Sequence, residues 1–375
     1  MGRLVGILVN DPVYRRILYG AGDVALLNQY EEAGAKYGVN PCYLRLKDLK
    51  SGGKKVKAIL RKQGAYRRVT VKTPTVVYNR AIYRKQPSID FLARWSTAGG
   101  RIVFNACNRY SLPDIRHLLS LDPSLHPHLP IIYPFSPEVL RRMLELYPSV
   151  VLEKGSALIH RGYRELVKNE EGEWIFSGML NPGEDSPQSL LHTEEETLIE
   201  LYNKYVIRPS VSMVRWDGRP ALFYVCVQRN ETGKWQLTGL VEKPEEIHTD
   251  SEEWKPEENV EKEPFVKHLE SKLSANGITL LEEIERVAVA IGEQLSQYLP
   301  SLADIGMEIG LKEPDIPVFL RWLPDVGHVF RKTGRIELWA ASCHHPIGYA
   351  SYLLDYLEKR EDTDIPHTVS SINRL

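Results

Sequence analysis

Apolar positions cluster at once in the chain. Leu4 to Val9 is a short unbroken apolar run, which predicts a buried β-strand. A Gly- and Tyr-rich turn region, Tyr19-Gly20-Ala21-Gly22-Asp23, follows it. From Val24 to Tyr37 the spacing becomes helical: Leu27, Tyr30 and Ala33 fall on one face, and Gly38 supplies the stop. Strands are expected over Asn40–Leu46, Thr75–Tyr78 and Ile102–Asn105. Between the last two, Ser88–Ala98 reads as a helix with a Ser start, Asp90 in its first turn and Gly99-Gly100 at its end. This alternation predicts an α/β unit with a mainly parallel sheet.

Beyond residue 106 the pattern changes. Helices are expected over Pro113–Ser120, around Pro137–Leu146, over Glu194–Lys204 and, long and amphipathic, over Ile278–Tyr298. Val150–Glu153 and Tyr205–Arg208 read as strands. Hairpin-like pieces surround Glu170–Trp174, and a further pair, Ala221–Asn230 and Trp235–Leu240, flanks a turn containing Gly233. Strand signals recur at Asp304–Leu311, Val318–Trp322 and Glu337–Trp339. No internal repeat or low-complexity tract is present.

Composition narrows the classes without choosing among them. The 375 residues, 43% hydrophobic and 26% charged, suit a globular chain of two or three domains. No stretch reaches the roughly 20 apolar residues of a membrane span, and the N-terminal run lacks the layout of a signal peptide. Four widely spaced cysteines without a Cys-x-x-Cys pair point to reduced thiols and a cytoplasmic location. The net charge of -1 conceals two opposite blocks. Residues 45–85 carry fourteen Lys or Arg and one acid, Asp48, and read as a solvated loop and hairpin. Residues 242–270 carry eleven acids against four lysines and read as a mobile surface loop. Nucleic acid is not favoured as a partner, although the basic block leaves anionic-polymer binding open.

Several segments together resemble the bacterial endospore-coat-associated YheC/YheD family. They are Val76-Val77-Tyr78-Asn79-Arg80, Asp122-Pro123, His128-Leu129-Pro130, Asp217-Gly218-Arg219-Pro220, Val227–Asn230, Gly233–Gly239, Ile305–Gly310 and Pro346–Ala350. Their order and spacing, over about residues 4–355, carry the resemblance. It implies a pre-ATP-grasp-like α/β domain (1–105) followed by an ATP-grasp-like α+β domain of two subdomains (106–358), with a lid-like part at about 140–205. A polar tail occupies 359–375. It also implies ATP and Mg²⁺ as cofactors, spore-coat or other proteins as partners, and a place in the cytoplasm or the spore coat.

ATP-grasp chemistry makes an acyl phosphate and passes it to a nucleophile. That requires a lysine on the phosphates, a Gly-rich lid and carboxylates holding Mg²⁺. By resemblance, Lys154, Gly155, Ser156 and Lys204 would hold ATP, while Asp304 and Glu308 would hold the metal. Four departures oppose this. The lid sequence after Lys154 carries bulky Leu158 and Ile159 where glycines are wanted. The family's Asp-Phe-Arg is Leu222-Phe223-Tyr224. Its Ile-Glu-Val-Asn strand is Leu320-Arg321-Trp322-Leu323, so a guanidinium stands where a carboxylate should ligate. The acidic stretch Glu242–Glu263 also replaces the segment expected after Gly239. The balance favours a degenerate, non-catalytic ATP-grasp fold acting through protein contacts, with an active carboxylate–amine ligase as the alternative. Cys343-His344-His345 are potential zinc ligands too close in sequence to converge on one ion, and His126 and His128 read as loop residues between prolines.

Overall fold

The computed structural model describes residues 3–83, 85–97, 100–107, 110–154, 164–177, 195–216, 218–243, 264–274, 276–323 and 326–361. Their strands form three main sheets. The first contains β1 (Leu4–Leu8), β2 (Asn40–Leu44), β3 (Lys55–Lys62), β4 (Ala65–Lys72), β5 (Val76–Asn79) and β6 (Ile102–Phe104), in the order β4-β3-β2-β1-β5-β6. Strands β2, β1, β5 and β6 are parallel. The basic segment supplies the antiparallel hairpin β3–β4 at one edge. Helices α1 (Asp11–Leu18) and α2 (Val24–Tyr37) contribute Tyr14, Ile17, Leu27 and Tyr30 to the core on one face of this sheet. Helix α3 (Gln86–Thr97) supplies Leu92 and Trp95 to the core on the other. Burial on both faces explains why β1 and β5 read as continuous apolar runs. Asp23 caps α2 by accepting from the Leu26 amide, and Gly38 ends it at φ 67°, a left-handed position that suits glycine.

The second sheet is antiparallel. Its strands are β7 (Tyr133–Pro134), β8 (Ser149–Lys154), β9 (Arg164–Lys168), β10 (Trp174–Ser177) and β11 (Tyr205–Pro209), ordered β10-β9-β8-β11-β7. Helices α5 (Pro137–Leu146) and α6 (Glu195–Tyr202) cover one face, packing Leu140, Met143 and Leu198 on Val150, Leu152 and Ile207. Helix α4 (Leu112–Ser120) precedes this sheet. A short ribbon, β12 (Arg215–Trp216) and β13 (Arg219–Pro220), leads to the third sheet.

The third sheet is also antiparallel: β14 (Leu222–Arg229), β15 (Trp235–Glu242), β16 (Asp304–Lys312) and β17 (Ile316–Leu323), ordered β15-β14-β16-β17. Helix α7 (Pro264–Ser271) forms the end of the acidic block 242–270, which was expected as a loop and of which 244–263 lies outside the described residues. Helix α8 (Leu280–Tyr298) opens with a capping box between Thr279 and Glu282. With α4, α8 buries one face of the sheet through Ile284, Val287 and Ile291. Helices α9 (Gly327–Lys332) and α10 (Ile336–Glu361) join the opposite face. There Cys343, Ile347 and Leu354 share one core with Tyr224, Cys226 and Val241 of the third sheet and with Val5 and Tyr78 of the first.

Another expectation is corrected and one element is added. Glu337–Trp339, expected as a strand, is the first turn of α10: Trp339, Cys343, Ile347 and Ala350 are buried at helical spacing over a span that three residues cannot reveal. Helix α1 fills the stretch between β1 and the Gly- and Tyr-rich turn, where no element was expected. Its Pro12 lies in the first turn, where a missing N–H costs nothing, so the Asp-Pro pair opens a helix instead of breaking one.

Close packing at Gly306 gives a test of the third sheet. A Cβ there would lie 2.6 Å from the Leu323 carbonyl oxygen and would also meet a Val326 methyl. Gly306→Ala is expected to lower unfolding free energy by about 1–3 kcal/mol in urea titration, the usual cost of overpacking. An unchanged midpoint would contradict the packing described.

Candidate functional site

Charged side chains from the second and third sheets are buried together. Leu152 of β8 faces the helices, and the next residue, Glu153, points the other way, as strand alternation requires. Glu153 accepts from Arg208 Nε of β11 at 3.4 Å and lies 4.0 Å from an Arg116 nitrogen. Arg116, on α4, donates to the Pro130 carbonyl at 2.7 Å and to the Leu320 carbonyl at 3.1 Å.

That second contact has a backbone cause. Glu308 of β16 sits opposite Arg321 of β17, but the next pair is Ile309 with Phe319. Leu320 is therefore the extra residue of a bulge, left without a ladder partner. Its carbonyl takes Arg116 instead, tying α4 to β17. Burial pushes the Arg116 guanidinium down to about 10, with the charges of Arg208 and Arg321 adding to the effect and Glu153 opposing it.

Glu308 is 1% exposed and is held by two cations. Lys243 Nζ lies 3.0 Å from its Oε1 and Arg321 Nε 3.2 Å from its Oε2. Tyr224, across from Glu308 on β14, is raised to about 12 by burial and by the carboxylate's charge. These surroundings do not fit Mg²⁺. The ion wants oxygen ligands at short range, whereas the carboxylate here faces an ammonium and a guanidinium, neither of which has a lone pair to give.

The residues singled out in the sequence occupy separate places. Asp304 is four positions before Glu308 on β16, about 13 Å away at strand rise. Its Oδ2 accepts from the Tyr78 hydroxyl at 2.7 Å, which together with burial holds Tyr78 well above its ordinary value. Asp304 also lines a cavity of about 130 Å³ with Arg80, Asp23 and Arg331, at the carboxyl end of β5. Lys204 is exposed beside a groove of about 1010 Å³ between α4 and the β7–β11 edge. Lys154 ends β8 with its backbone paired to Tyr205. Its side chain, with Gly155 and Ser156, lies outside the described residues. Arg116, Glu153, Arg208 and Lys243 escaped the sequence reading because their partners lie far along the chain; strand alternation at Leu152 is the one signal that marked Glu153.

Cys343, His344 and His345 are consecutive on α10, about 100° apart around its axis, so they do not converge. Among the described residues no group of three or more His, Cys, Asp or Glu is placed to hold a metal. His345 belongs to a polar network instead. Thr238 donates its hydroxyl proton to Gln228, so His345 Nδ1–H donates to Thr238 Oγ1 at 3.0 Å, and Nε2 accepts from Gln236 at 2.8 Å. His128 is buried and donates from Nδ1 to the Pro317 carbonyl at 2.7 Å.

The arrangement, two antiparallel sheets beside a mainly parallel one, is an ATP-grasp fold. The family profile described as YheC/D-like ATP-grasp matches residues 103–353, and the chain belongs to that family. Among solved structures, the ATP-grasp ligase PsnB complexed with a phosphomimetic variant of its minimal precursor, Mg and ADP is 13% identical. It covers 92% of this chain and 98% of its own, with a TM-score of 0.49. A RiPP-associated ATP-grasp ligase from Chryseobacterium gregarium, in complex with ADP and a leader and core peptide, is 9% identical, with coverages of 90% and 95% and a TM-score of 0.48. The D-alanine-D-alanine ligase of Coxiella burnetii is also 9% identical, with coverages of 96% and 99% and a TM-score of 0.46. No curated protein matches the chain. No described helix is long and apolar enough to cross a membrane.

Burial lowers His128, His344 and His345 below the ordinary value of 6.5. The unfolded chain therefore binds more protons than the folded one as pH drops below about 6.5. Stability from these groups is complete above that pH and is lost as pH falls through the folded-state values. Melting temperature is expected to decline between pH 7 and pH 5, and less steeply in His345→Gln. An equal slope in the variant would contradict the role given to His345.

Proposed function

We propose that this chain is a non-catalytic member of the YheC/D-like ATP-grasp family that acts through contacts with other proteins. The observation that carries the reading is Glu308 bound between Lys243 and Arg321. Forming an acyl phosphate requires divalent metal to bridge phosphate oxygens and neutralise developing charge. In the family pattern an acid stands where Arg321 stands here. With that acid gone, the remaining carboxylate is already neutralised within the protein.

Glu153 of β8 adds to the same picture, being held within the protein by Arg208 and Arg116. Resemblance to coat-associated proteins makes spore-coat components the partner class to try first, with the coat of a spore-forming bacterium as the matching location.

Calorimetric titration with ATP, with and without Mg²⁺, tests the reading. The wild type is expected to show no metal-dependent binding. Micromolar binding that requires Mg²⁺ would overturn the proposal and favour a carboxylate–amine ligase using Lys154, Lys204, Asp304 and Glu308.

A further inference from the structure

The outer edge of the first sheet is unusual in how it is protected. β4 is its terminal strand, and all eight of its residues pair with β3 in unbroken register from Lys55↔Lys72 to Lys62↔Ala65. The strand contains Tyr66, Val69, Thr70 and Val71, all strong β-formers, and has neither proline nor bulge. Alternate backbone N–H and C=O groups of such a strand point outward, and among the described residues no strand covers them. Free edges are usually blunted by shortness, bulges, proline or charge. Here charge is the device, and it has one sign.

Lys55, Lys57, Arg67 and Lys72 are all exposed. Lys55 and Lys72 stand directly opposite each other, an arrangement that costs stability. Among the described residues, the ion pairs of segment 45–85 engage Arg45, Lys47 and Arg68 with Asp48 and Asp11 and leave those four cations out. Arg67 and Lys72 stand on the edge strand itself, and Lys55 and Lys57 stand on β3 beside it. This positive border disfavours pairing with a second copy of itself and favours a strand of the opposite charge.

We propose that the outer edge of β4 receives an extended acidic segment of a partner protein as an added strand, with main-chain hydrogen bonds giving affinity and the lysines selecting acid. A nucleic acid would meet the charges but leave the edge amides unused, so polypeptide is the favoured partner. The surface lies on the first sheet and rests on the interaction-protein reading only for its biological purpose.

The test is fluorescence anisotropy of a labelled octapeptide of alternating Glu and Val, titrated with the full chain. Binding is expected at 50 mM NaCl and should weaken at least tenfold at 300 mM. Lys57→Glu combined with Lys72→Glu should also weaken it at least tenfold while the melting temperature holds. Peptides N-methylated at alternate residues, in both frames, should not bind. Equal binding by both N-methylated peptides, or equally tight binding of oligothymidylate, would overturn strand addition in favour of a charge-only surface. No binding at low salt would reduce the lysines to edge protection. Metal-dependent ATP binding in the same preparation would refute the non-catalytic reading and leave the edge result standing.

Discussion

One irregularity in the β16–β17 ladder organises the buried charges. Up to Glu308 the two strands pair residue for residue; beyond it Leu320 is passed over. The skipped residue offers its carbonyl to Arg116, which brings α4 against the third sheet. The same step leaves Glu308 opposite Arg321, with Lys243 adding a second cation just past β15. Arg116 also reaches towards Glu153 of the second sheet, so the bulge links the second and third sheets. Removing one partner from a buried set of this kind is costly, because the others keep their charge without compensation.

The rest of the architecture holds the third sheet against the first. Helix α10 is covered on several sides, by α2 and β5 and by the third sheet, and one continuous core runs through it. Polar ties reinforce the junction. Tyr78 reaches Asp304, Asn79 donates to the Asn105 carbonyl, and Asn105 accepts from the Ala303 amide. Arg3 pairs with Asp355 and Glu358 near the end of α10. Such surface pairs contribute little. The shared core contributes far more, since apolar burial is the dominant favourable term in folding.

Elements with a long or unmistakable period were legible in the sequence. Helix α2 has the expected limits, Val24–Tyr37, because a face of Leu27, Tyr30 and Ala33 and a terminal glycine both mark it. The paired strands around Gly233 and the long α8 were equally readable. Glu337–Trp339 was misread because three residues cannot separate a period of 2 from one of 3.6. At the site, the resemblance alone had suggested Arg321 in place of an acid. What the chain alone did not show is that Glu308 meets Arg321 and Lys243, or that Arg116 and Arg208 converge on Glu153. Those contacts join residues up to 204 positions apart, as between Arg116 and Leu320, and arise only from sheet order and register.

The central claim is that Glu308 and Arg321 are bound to each other, which on the proposed reading leaves no carboxylate free for a metal. A double-mutant cycle measures this directly, with Glu308→Gln, Arg321→Gln and the double variant unfolded in urea at pH 7. Residues in contact within one charge network couple by about 0.5–3 kcal/mol. The account predicts a favourable coupling of at least about 1 kcal/mol on that scale, with the double variant less destabilised than the sum of the singles. Strict additivity would mean that the two side chains do not hold each other, and the carboxylate would then be open to metal.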